Sequence, residues 1–211
     1  MTDYLKDLVI LCACKNGEFA VKGLLSRVEA LGIRQIVVDT FIHPESDPGC
    51  LNRADDFLRS MTNQYKQALV IFDRSGCGQE SKTRQELENE VQGKLSRSGW
   101  DQRSNVIVVD PELDIWVWSD SLNVDICLGW SGRQPDVRNW IKQNKNDFWP
   151  EDTEKPLKPK EAMEEALREV RKPRSSAVYR KLGESVSVDR CVDPAFLKFK
   201  RKLHEWFPAE V

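Results

Sequence analysis

The chain has 211 residues, 40% hydrophobic and 31% charged, enough for one sizeable core with an appended lobe. No run approaches the roughly 20 apolar residues of a membrane-spanning helix, and the opening MTDYLKDLVILCACK lacks the basic start and small-residue cleavage site of a secretory signal. The net charge of −2 conceals an asymmetry: positions 1–154 hold 18 Lys and Arg against 25 Asp and Glu, whereas 155–211 hold 14 against 9.

Residues 7–14, DLVILCAC, are almost continuously apolar and predict a strand buried on both faces. After KNG, a helix is predicted over 18–32 from the spacing of Phe19, Leu24, Leu25, Val28 and Leu31, with Gly32 as its stop. RQIVVDTFI (34–42) predicts a second strand, HPESDPGC a loop, and 51–65 a second helix. QALVIFD (67–73) predicts a third strand, SGCG a turn, 80–100 a polar amphipathic helix, and NVIVVD (105–110) a fourth strand. Beyond about position 120 the pattern changes to short helices and loops. Clear helices follow over 160–172, 174–185 and 193–207, punctuated by Pro156, Pro159 and Pro173. The expected fold is α/β: a mostly parallel, Rossmann-like sheet flanked by helices, with a helical C-terminal portion. The expected division is a core over 1–125 and a helical extension over 126–211 packed on it.

Ligands of such sheets bind at the carboxyl ends of the strands. Those ends are 14–18, 39–43, 73–78 and 110–114. No GxxxxGK[ST], GxGxxG or GxSxG occurs, so a phosphate loop, a dinucleotide fingerprint and a serine-hydrolase elbow are not supported. The six cysteines are dispersed without a CxxC pair, and only His43 and His204 could join them, which favours reduced, packed cysteines in a cytoplasmic protein over a zinc site or a disulfide framework. Cys14 with His43 as base is a weak third option for a hydrolase.

The acids are the stronger lead. VVDPELDIWVWSD (108–120) sets four carboxylates in a segment otherwise apolar enough to be buried. Carboxylates crowded at a strand end repel one another, and Mg²⁺ or Mn²⁺ relieves that repulsion. Asp73, Glu112 and Asp114 are therefore candidate metal ligands. If 112–118 stays extended, Glu112 and Asp114 share a face with Trp116 and Trp118. If a helix begins at Leu113, Trp116 turns inward as a core anchor. Both tryptophans are expected to pack in the core rather than stack on bases. Two basic clusters are candidates for holding a nucleic-acid backbone: Lys158, Lys160 and Arg174, and, on the last helix, Lys198, Lys200 and Arg201. An acidic protein partner or a plain solvated surface accounts for them equally well. On the last helix, Phe196, Phe199, Leu203 and Trp206 form the expected buried stripe, with the lysines outside.

Three stretches resemble a Toprim-like domain, the metal-binding α/β module of topoisomerases, primases and OLD-type nucleases. They are LVILCACKNGEFAVKGLL, VIFDRSGCG in the place of the family's DxD, and PELDIW followed by an acid. The tail, KPKEAMEEAL and SSAVYRKLGESVSVDRCVDPAFLKFKRKL, is similar to that of small stand-alone bacterial Toprim-related proteins. The resemblance implies a glutamate as general acid/base and aspartates holding magnesium. Here Cys14 stands at the family's first acid, with Glu18 four residues on, and Ser75 stands at the second acid of DxD, so only Asp73 carries over cleanly. A working site would use Glu18, Asp73 and Glu112 in catalysis, with Asp73, Ser75, Glu112 and Asp114 around Mg²⁺ or Mn²⁺. The implied function is a divalent-metal-dependent nuclease acting on DNA or RNA. The alternative is a degenerate relative that binds nucleic acid or protein partners within an anti-phage defence complex.

Overall fold

The structure, a computed structural model, describes residues 4–209. Four strands form one parallel sheet: β1 (Lys6–Cys12), β2 (Val38–Ile42), β3 (Tyr65–Asp73) and β4 (Ser104–Val109), in the order β2-β1-β3-β4. They alternate with α1 (Lys15–Leu25), the single turn α2 (Val28–Leu31), α3 (Ser46–Leu58) and α4 (Arg84–Leu95). Five α-helices follow β4 among the described residues: α5 (Leu122–Leu128), α6 (Val137–Asn144), α7 (Pro159–Glu169), α8 (Ser176–Ser185) and α9 (Pro194–Trp206). The α/β fold with a parallel sheet and helices toward the C-terminus is the one the strand–helix alternation predicts.

The sheet is apolar on both faces because helices cover both. Val9, Leu11, Val70, Phe72, Val106 and Val108 face α3 and α4, together with Cys50, Leu58, Leu87 and Val91. Leu8, Ile10, Leu69, Ile71, Ile107 and Val109 face the other way, into a cluster that runs from α1 through the C-terminal helices to Phe207. The C-terminal helices are thus one wall of the main core rather than a satellite.

Local chemistry sets the element ends. The helix predicted over 18–32 is broken at Ser26, whose hydroxyl donates to the Gly23 carbonyl (2.7 Å), and Gly32 ends α2 at φ 67°. Thr83 and Glu86 form a capping box that starts α4 at Arg84, not at Glu80. The helix α3 begins inside the predicted loop, at Ser46.

The two sheet edges differ. On β4, Glu88 of α4 accepts from the Val108 N–H (3.1 Å), and Lys198 of α9 donates to the Val106 carbonyl (2.8 Å). The two side chains also pair with each other at 2.8 Å, with Glu88 only 2% exposed. This plug satisfies the outward main chain of an edge strand. On β2 no side chain or backbone group among the described residues hydrogen-bonds the outward main chain.

Candidate functional site

The strand order reverses between β1 and β3, which opens a crevice at their carboxyl ends. Cys14 leaves β1 and caps α1, its Sγ accepting from the Gly17 N–H (3.4 Å). Asp73 ends β3 and is half-buried. Its Oδ1 accepts from the Leu113 N–H (2.9 Å), and its own N–H donates to Asp47 Oδ1 (2.8 Å). Burial pushes the Asp73 carboxyl well above the usual carboxylate range, and the charges of Asp47, Asp114 and Glu112 push it further. Burial also raises Glu112, with Asp114 adding to the shift and Lys160 opposing it. Asp47 is raised by burial, against the hydrogen bond from Asp73.

The PELDIW segment is not extended. After Val109 the chain turns through Pro111 into a 3-10 turn over Leu113–Trp116, the second of the two conformations left open by the sequence. Trp116 is accordingly buried, its indole N–H donating to Asp193 Oδ1 (2.9 Å), and Trp118 donates to the Pro159 carbonyl (3.0 Å). Both pack in the core, as expected of them.

The turn also sends Asp114 away from open solvent. Its carboxylate accepts both Nη2 contacts of Arg174 (3.1 and 3.0 Å) and the Tyr179 hydroxyl (2.6 Å), at 3% exposure. Burial and the Asp114 charge hold the Tyr179 phenol protonated far above its ordinary range. Arg174 is therefore half-buried structural furniture as well as a cation near the cleft.

Asp73, Glu112 and Asp114 lie close enough to shift one another, with Lys160 beside Glu112 and Arg174 on Asp114; the remaining predicted residues have other partners. Glu18 lies over β2: it accepts from Lys22 Nζ (2.7 Å) and the Thr40 hydroxyl (2.8 Å). Burial would raise its carboxyl, but those two bonds outweigh burial and hold it below its usual value. Ser75 is exposed on the turn after β3, its N–H donating to the Pro111 carbonyl (2.9 Å). Lys158 pairs with Asp147 (3.5 Å), Lys200 with Asp189 (2.5 Å) and Arg201 with Glu205 (3.8 Å). Lys198 turns inward to the β4 edge rather than outward with its neighbours. Cys14 and His43 do not bond: His43 is buried and its Nδ1 accepts from the Glu45 N–H (3.1 Å), while burial raises the Cys14 thiol.

Asp47 lies inside the predicted loop and is not among the predicted site residues, yet the structure places it against Asp73. Its signal was the S-D-P placing an acid in the first turn of a helix.

No family model matches the chain, and no curated protein or solved structure does either.

A divalent cation fits these residues poorly. Asp114 is already neutralised by Arg174, Glu18 is held by Lys22 and Thr40, and among the described residues no group of three or more His, Cys, Asp or Glu is arranged to hold a metal ion. What the cleft presents is a protonatable acid, Asp73, beside Glu112 and the cations of Lys160 and Arg174.

The raised Asp73 has a measurable consequence. The folded chain keeps a proton that the unfolded chain releases at about pH 4, so stability falls as pH rises from there toward the raised value. Asp73→Asn keeps the acceptor for the Leu113 N–H without the charge. It is expected to melt above wild type at pH 8, with the gap closing toward pH 4. Thermal melts across that range check it, and a gap independent of pH would refute it.

Proposed function

We propose that this chain is a catalytically degenerate Toprim-like protein that binds nucleic-acid phosphodiesters at its strand-end cleft, as a subunit of a bacterial anti-phage defence complex. One observation carries the reading. Two of the acids that a Toprim-type metal centre would recruit are committed elsewhere, Asp114 to Arg174 and Tyr179, and Glu18 to Lys22 and Thr40. Lys160 lies beside Glu112 and is suited to a phosphate by charge. The defence role rests on the family resemblance alone.

A second reading, a divalent-metal-dependent nuclease, is favoured by the crowding of Asp47, Glu112 and Asp114 around Asp73, since a cation would relieve it. One experiment separates the two. Single- and double-stranded DNA and RNA are titrated with wild type and Lys160→Ala by fluorescence anisotropy, at rising salt, and the same oligonucleotides are incubated with Mg²⁺ or Mn²⁺. The binding reading expects affinity that falls steeply with salt, a salt slope smaller by about 1 in Lys160→Ala, and no cleavage. Cleavage by wild type that Asp73→Ala abolishes would establish the nuclease. Neither binding nor cleavage would remove nucleic acid from the account.

A further inference from the structure

We infer that β2 is a docking edge for a second copy of this chain, the two β2 strands pairing antiparallel about a two-fold axis at Thr40 to make one continuous sheet. The inference is independent of the cleft. The Leu8 N–H donates to the Val37 carbonyl (3.2 Å) and the His43 N–H to the Cys12 carbonyl (2.9 Å). With the strand's period of two, the main chain of Val37, Asp39, Phe41 and His43 faces β1. The N–H and C=O groups of Val38, Thr40 and Ile42 therefore point away from the sheet, and among the described residues nothing bonds them.

That edge also lacks the usual protection. No Lys, Pro or bulge interrupts 37–42, and its one charge, Asp39, is turned onto Lys6 and Tyr65. Val37 is 56% exposed and Ile42 38%. The opposite edge of the same sheet is closed by a dedicated ion pair, so leaving this one bare is not a general habit of the fold.

The sequence of β2 matches itself. In the antiparallel register centred on Thr40, Val38 lies opposite Ile42 of the second copy and Thr40 opposite Thr40, all on the α1 side. On the other side Asp39 lies opposite Phe41. No like charges meet, and apolar and Thr–Thr pairs of this kind favour pairing. Each copy would give and take main-chain hydrogen bonds at Val38, Thr40 and Ile42.

Sedimentation velocity of the full chain tests this, with Thr40→Pro and Ile42→Lys beside wild type. Proline removes an outward N–H and leaves the ladder to β1 intact, and far-UV circular dichroism shows whether that variant is folded. Ile42→Lys, at an exposed position, decides the matter if it is not. Wild type is expected to dimerise at about 10 µM, and each folded variant to need at least about tenfold more protein. In the wild-type dimer the amides of Val38, Thr40 and Ile42 gain protection from hydrogen exchange as concentration rises. A wild type monomeric to about 100 µM would overturn the inference. So would a dimer that survives both substitutions, or one in which those three amides stay unprotected.

Discussion

Lys198→Met is expected to lower the free energy of unfolding by about 3–5 kcal/mol, the cost of leaving one half of a buried ion pair unpartnered. The Glu88 carboxylate is 2% exposed and has Lys198 Nζ at 2.8 Å, with the Val108 N–H as its other partner. Methionine keeps the stem of the lysine and removes its charge, so packing is nearly conserved. What is lost is the partner of Glu88 and the donor to the Val106 carbonyl. Burial pulls the Lys198 ammonium below its ordinary value, and Glu88 works against that pull. Urea denaturation reads the effect as a lower midpoint at unchanged slope. The double variant Glu88→Leu with Lys198→Met should recover much of the loss, because no charge is then stranded. A surface lysine devoted to binding phosphate would show less than about 0.5 kcal/mol in the same measurement.

Gly183→Ala is expected to destabilise by about 2–3 kcal/mol, although the same exchange in an ordinary helix interior gains about 1 kcal/mol. The sign is set by the crossing of α1 and α8. A Cβ on Gly183 would lie 2.5 Å from the Ala20 carbonyl oxygen and 2.9 Å from the Leu24 nitrogen, and one on Gly23 would lie 2.3 Å from the Arg180 carbonyl oxygen. These neighbours are backbone and cannot swing aside, so the helices must part. Tyr179 stands one turn before Gly183 on α8 and bonds Asp114. The variant should therefore loosen the cleft wall as well as lower the melting temperature, and faster hydrogen exchange over 113–118 would register it. Wild-type stability in Gly183→Ala would mean that the two helices do not cross so closely.

The strands were legible because each is a short apolar run between turn signals, and parallel sheets bury both faces. Their order was not: nothing local tells β1 that it will lie between β2 and β3. Ser26 shows the limit for helices, since an apolar spacing that runs on past it says nothing of a hydroxyl bonding back to Gly23. In the candidate site, Asp73 and Glu112 were readable as acids at strand ends. Asp114 was readable as an acid but not as the partner of Arg174, which lies 60 residues on. By spacing alone Lys198 belongs to the outer face of an amphipathic helix. Only the docking of α9 against β4 turns it inward, and that is a property of two distant segments together.

The tie from Asp114 to Arg174 and Tyr179 also bears on how the protein is made. As the chain emerges from the ribosome, all four strands and α4 are available before any of the residues that neutralise Asp114. Until Arg174 and Tyr179 are made, Asp114 has neither of its partners, and Asp73 and Glu112 crowd beside it. Synthesis of Arg174 and α8 supplies both, so the cleft is completed late and its wall is the part most exposed to truncation or to a stalled nascent chain.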